Sequence, residues 1–164
     1  QLMCLIANLE LGRGRPAPAA GRKSSSRSVS MRWAGQDASD EILAQFRVNR
    51  ARNWNEFLRA FSTFGVPAQN VIFGDVEGNI GYAAIGHIPL RESGVSPQLP
   101  NDGSAVARPW RGFIPYAELP RSYNPPGNAL ASANNRVVDQ YPYHLSTLWE
   151  GDGRIRRIQE SCSL

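Results

Sequence analysis

From residue 53 onward, the apolar positions Trp54, Phe57, Leu58 and Phe61 recur at the spacing of one helix face. Asn53 supplies a capping side chain with Glu56 three residues later, and Gly65 and Pro67 are placed to end the helix. These aromatics are expected to pack on a sheet. Just upstream, Ser39 or Asp40 can cap a helix in which Ile42, Leu43 and Phe46 share one face, the side expected to be buried. Before that, Val29, Met31 and Trp33 alternate with Ser28, Ser30 and Arg32. That is the period of a half-buried strand ending at Gly35.

The pattern changes period at "QNVIFGDVEGNIGYAAIGHIPLR", residues 69–91. The β-branched and aromatic run Val71, Ile72, Phe73 meets a turn cluster, Glu77-Gly78-Asn79, and strand character resumes at Ile80. Three further glycines, Gly74, Gly81 and Gly86, stand in strands they should weaken, which points to close backbone approach or a bulge. A long Pro- and Gly-dense stretch follows, residues 92–129, expected as an irregular cover. Leu130 to Ala133 reads as a short strand ending at the polar pair Asn134-Asn135. Tyr141-Pro142 reads as a turn, and Ile155 and Ile158 mark a closing amphipathic segment. Strands and helices in this order make an α+β domain or part of one.

Composition adds bounds. The chain has 164 residues, 41% of them apolar, enough for one real core, and it contains no apolar run long enough to span a membrane. The net charge of +4 is unevenly placed: residues 1–36 hold Arg13, Arg15, Arg22, Lys23, Arg27 and Arg32 against Glu10 alone. Basicity therefore belongs to a Gly-, Pro- and Ser-rich segment, residues 1–28, expected to be a flexible tail before a domain over residues 29–164. A basic nucleic-acid arm lacks the interleaved aromatics such binding uses, so no nucleic-acid partner is expected. Cys4 and Cys162 could bridge the termini but make no framework, and with only His87 and His144 beside them no metal motif emerges.

Four pieces in order carry a resemblance: "ARNWNEF" with "PAQNVIFGDVEGNIGY", then "GHIPLRESG", "WRGFIPYAELPRSYNPPGNALASANN" and "YPYHLSTLWEGDGRIRRI". Together they resemble the penicillin acylases and their relatives that deacylate cephalosporins and acyl-homoserine lactones. The resemblance implies part of an αββα N-terminal nucleophile hydrolase sandwich, drawn from the β-subunit core. It implies an amide hydrolase in which an N-terminal serine attacks the carbonyl with its own α-amine as base. The substrate would be a small-molecule acyl amide, of a β-lactam or a homoserine lactone amine. By the same analogy a full-length parent would be periplasmic or secreted, and the piece would need an upstream α-subunit and N-terminal β-subunit segment as partners.

Residue by residue, the resemblance makes Asn134 the oxyanion donor, with Asn135 the alternative if the register slips by one, and Arg154 the arginine that braces the site. A side-chain amide suits the first role because it donates without titrating. Read on its own, the Asn pair fits an Asx-turn and Arg154 a solvated helix-start residue. No serine here stands where the family's nucleophile would, so the covalent chemistry is expected outside this chain. The alternative is a non-catalytic folding or interaction module. Asp75 reads as a hydrogen-bonding residue at a strand end. No cofactor is expected: the family's structural calcium would use the carbonyl of Pro97, but Tyr143-His144-Leu145 replaces the acidic ligand after the "YP" turn. A partial sandwich is expected to expose apolar surface between Val71 and Ile88.

Overall fold

The computed structural model describes residues 31–93 and 110–162, together with the backbone of Ala7 and Asn8. Its centre is an antiparallel hairpin. Strand β2 (Gln69–Gly74) pairs with β3 (Ile80–Ile85) in unbroken register from Gln69 opposite Ile85 to Gly74 opposite Ile80. Strands β1 (Ala7–Asn8) and β6 (Arg121–Tyr123) flank the pair, giving the order β1-β2-β3-β6. A second, two-stranded sheet joins β4 (Pro89–Arg91) to β5 (Trp110–Phe113). Apart from β1, the span expected as a tail lies outside the described residues, as do Pro97 and Cys4; Cys162 is an exposed free thiol.

The hairpin turn is organised by Asp75. Its Oδ1 accepts from the Glu77 and Asn79 amides at 3.0 and 2.9 Å, and its Oδ2 from Asn79 Nδ2 at 2.8 Å. The Asn79 side chain above all, against a small opposing effect of burial, holds this carboxyl below its usual range. It is a structural acceptor, as the sequence suggested.

Both faces of the central sheet are buried. Val71, Phe73, Ala83 and Ile85 form one core with the helices α1 (Glu41–Val48) and α2 (Trp54–Ala60). On the opposite face Ala84 joins Ile88, Ile114 and Leu119, with Tyr141, Tyr143 and Leu145 packed against them. Each fully buried Phe or Ile contributes roughly 1.5–3 kcal/mol. The expected apolar exposure between Val71 and Ile88 is confined mainly to Val76 in the turn, 92% exposed: Val71, Phe73, Tyr82, Ile85 and Ile88 are buried, because each face of the hairpin has its own cover.

Helix α2 has the expected face. Phe57 is buried, Trp54 stacks on Phe57 and Tyr123 with ring centroids 5.6 and 5.4 Å apart, and Asn53 Oδ1 caps by accepting from the Glu56 amide at 3.0 Å. It ends at Ala60, before Gly65, in successive turns that place Phe61 and Phe64 in the core. Gly81 lets the Trp54 ring lie on β3: a Cβ there would stand 2.5 Å from Cζ3. Gly86, at φ +108°, approaches Ala68 so closely that a Cβ would fall 2.6 Å from its Cα.

Four further expectations are corrected, the first being the irregular cover, in which Trp110–Phe113 and Arg121–Tyr123 form the strands β5 and β6 because β4 and β3 offer them edges to pair with. Helix α1 buries Ala44 and Val48, while Ile42, Leu43 and Phe46 are 76%, 42% and 60% exposed. Small Ala44 allows close packing, and at about 100° per residue Ile42 and Phe46 lie about 160° around the axis from it. Met31 to Trp33 is irregular and is followed by a 3-10 turn, Ala34–Gln36, with no strand paired to it among the described residues; Val29 and Ser30 lie outside them. Leu130 to Ala133 is not a strand either: among the described residues no ladder partner pairs with it, and a side-chain hydrogen bond from Asn70 to Ser132 reaches it instead.

Candidate active site

The site is built where the chain leaves that irregular segment. Asn134 takes a left-handed backbone conformation, φ +62°, which asparagine tolerates better than most residues. Its carbonyl accepts from the Glu150 amide at 2.9 Å, so the turn is tied to the approach of helix α3 (Gly153–Cys162). Within the first turn of α3, Arg154 extends Nη1 to within 3.4 Å of Asn134 Oδ1. Residues twenty positions apart in sequence are thereby brought together at an exposed edge of the fold.

The contact fixes which way the amide faces. A guanidinium has donors only, so the oxygen of Asn134 must turn toward it and the donor nitrogen lies on the other side of the amide. Asn135 is engaged differently: its Oδ1 accepts from the Ala133 amide at 3.1 Å and its Nδ2 donates to the Arg136 carbonyl at 3.0 Å. The local turn function belongs to Asn135, and the contact with Arg154 belongs to Asn134. Ala133, just before them, is 2% exposed.

Behind the turn lies a polar chain that the sequence reading did not single out. Asn70, on β2, is 1% exposed; Tyr82 Oη on β3 donates to its Oδ1 at 2.6 Å, and its Nδ2 donates to Ser132 Oγ at 3.2 Å. The available signal was an amide pair, Gln69-Asn70, opening the apolar run Val71 to Phe73. Burial holds the Tyr82 phenol well above its ordinary value, so it remains a neutral donor.

A family model described as Penicillin amidase matches residues 10–162. The chain belongs to the penicillin amidase family. Among its relatives, Penicillin G acylase of Escherichia coli is 33% identical over 131 residues, covering 79% of this chain and 15% of its own length. Penicillin acylase 2 proenzyme of a Pseudomonas species is 35% identical over 134 residues, 80% of this chain and 17% of its own. Acyl-homoserine lactone acylase QuiP of Pseudomonas fluorescens is 32% identical over 116 residues, 70% of this chain and 14% of its own. The chain thus spans about a sixth of the length of these curated relatives. A solved thermostable Penicillin G acylase from Alcaligenes faecalis shares the fold, with a TM-score of 0.63 at 22% identity, over 98% of this chain and 32% of that one. These likenesses establish an α+β penicillin amidase fold.

No cluster of three or more His, Cys, Asp or Glu side chains that could hold a metal occurs among the described residues. Of Tyr143-His144-Leu145, the stretch standing where the resemblance placed an acidic ligand, Tyr143 and Leu145 pack against the second core. Nor is any described helix long and apolar enough to cross a membrane.

Proposed function

We propose that this chain is the oxyanion-bearing part of an amide hydrolase of the penicillin acylase type, with residues 29–164 as a partial β-subunit domain and residues 1–28 as a basic tail. The observation that carries the reading is the 3.4 Å contact between Arg154 Nη1 and Asn134 Oδ1, in a turn at φ +62°, within a chain of this family. Asn134 is the oxyanion donor and Arg154 the residue that orients it. The serine nucleophile comes from a part of the acylase fold that this chain does not span. Its Oγ attacks the amide carbonyl and its α-amine takes the hydroxyl proton. Negative charge builds on the former carbonyl oxygen, where Asn134 Nδ2–H donates. Collapse breaks the C–N bond, the amine departs with the proton, and water cleaves the acyl-serine ester to release the acid. The substrate class is an acyl amide of a β-lactam or homoserine lactone amine, and the assembled enzyme works in the periplasm or outside the cell.

The test is hydrolysis of chromogenic phenylacetyl and long-chain acyl amides by the chain alone and by the chain co-expressed with the serine-bearing remainder of an acylase. Silence alone, turnover on complementation, and a fall of 10²–10³ in kcat with Asn134→Ala are expected. Turnover by the chain alone would place the nucleophile within it, and silence in both samples would favour a non-catalytic module.

A further inference from the structure

We infer that Asn70 is a positioning residue for the oxyanion turn, acting through Ser132, an inference that rests on the functional reading of Asn134. The segment 130–135 has no sheet ladder to fix its height above β2. What connects it to the sheet is a hydrogen-bond series through Asn70. Tyr82 Oη donates to Asn70 Oδ1 at 2.6 Å, so the amide nitrogen of Asn70 faces outward and donates to Ser132 Oγ at 3.2 Å. Ser132 lies two residues before Asn134, whose own carbonyl is held from the other side by the Glu150 amide at 2.9 Å. The turn is therefore clamped between the sheet and the approach to α3.

Burial argues that the arrangement is not incidental. An amide that is 1% exposed loses its hydration, and an apolar residue would fill the same site in a doubly covered strand without that loss. The amide gains a rigid link: β2 and β3 are held by a six-residue register, and Tyr82 sets the rotation of the Asn70 side chain before Ser132 is engaged. An error of about 1 Å in a catalytic donor costs about 10²-fold, which is the scale such a link protects.

Ser132→Ala cuts the link while leaving the buried Asn70–Tyr82 pair intact, and Ser132→Thr keeps the hydroxyl. In the complemented enzyme Ser132→Ala is expected to lower kcat roughly tenfold to a hundredfold with KM within twofold, and Ser132→Thr to restore most of it. Independently of activity, the Asn134 side-chain amide NMR signals of the chain alone, assigned through Asn134→Asp, should shift in Ser132→Ala and return in Ser132→Thr. Asn70→Asp should shift them too, by replacing the donor that faces Ser132. Unmoved signals in Ser132→Ala would overturn the positioning role whatever the activity. A complemented wild type without turnover would overturn the functional reading and leave the NMR arm to decide the tether. Equal losses in kcat and melting temperature, with no rescue by threonine, would reduce the link to ordinary stability.

Discussion

Alanine at Gly81 and alanine at Gly74 should move stability in opposite directions, although both glycines lie in the same hairpin. At Gly81 a Cβ would stand 2.5 Å from Trp54 Cζ3 and 2.7 Å from Cε3, inside van der Waals contact. The indole has little room to retreat, because its centroid lies 5.6 Å from Phe57, 5.6 Å from Phe73 and 5.4 Å from Tyr123. Overpacking of this kind costs about 1–3 kcal/mol. Reduced freedom of the unfolded chain returns about 0.5–1 kcal/mol. The net expectation for Gly81→Ala is a loss of about 1–2 kcal/mol. At Gly74 nothing lies within 4 Å of the added carbon, so only the second effect operates and a gain of about 0.5 kcal/mol is expected. Urea unfolding followed by far-UV circular dichroism resolves this: with a slope of about 2 kcal/mol/M, the two midpoints should differ by about 1 M. A Gly81→Ala midpoint at or above wild type would show that Trp54 slides aside, and the close-approach reasoning would fail.

Glu41 Oε1 accepts from Ser39 Oγ and from the Val66 and Gly65 amides at 2.9 and 3.1 Å; burial pushes its pKa up, but these bonds outweigh it and bring it from 4.5 to about 2. A depressed carboxyl stabilises above its unfolded value and loses that stability as pH falls from about 4.5 to about 2. Because water still reaches the group, Glu41→Gln should cost only about 1 kcal/mol at neutral pH and flatten the acid limb of the melting profile, whereas parallel profiles would remove Glu41 from the account. Tyr116 Oη donates to the Leu58 carbonyl at 2.7 Å and burial raises the phenol to about 12; Tyr116→Phe should cost about 1 kcal/mol, and by ultraviolet titration Tyr116 and the more deeply buried Tyr82 should both resist ionisation until near pH 12 or beyond, one fewer in Tyr116→Phe. Helix α1 displays Ile42 and Phe46, so a double change of both to Gln should reduce binding of a hydrophobic dye by more than half with little change in melting, and undiminished dye binding would move the sticky surface elsewhere.

Helix α2 was legible because two independent signals coincide there, a wide aromatic stripe and a capping asparagine. At α1 the large side chains were misleading. A short helix can sit close to its neighbours through Ala44 and Val48, and counting bulky apolar residues gives alanine no weight as a contact. The segment at Leu130 failed for a different reason: strand character needs a partner, and nothing local records that its neighbour offers a side chain rather than a free edge. The pairing of Asn134 with Arg154 was reached only through resemblance, since a left-handed turn and a helix start twenty residues apart share no local pattern.

Asn70 shows what a closer reading of period could extract. In a strand with one solvated face, a polar residue at alternate positions is unremarked. In β2 Asn70 is 1% exposed, beside Val71 of the first core and paired with Ala84 of the second, so its amide is cut off from water. A buried amide there must find partners within the protein or cost roughly 1–3 kcal/mol. Tyr82 satisfies its oxygen from within the hairpin, but the outward nitrogen needs an acceptor from outside the sheet, and the chain supplies Ser132. A buried asparagine in such a strand thus predicts a tertiary tether even where its partner cannot be named.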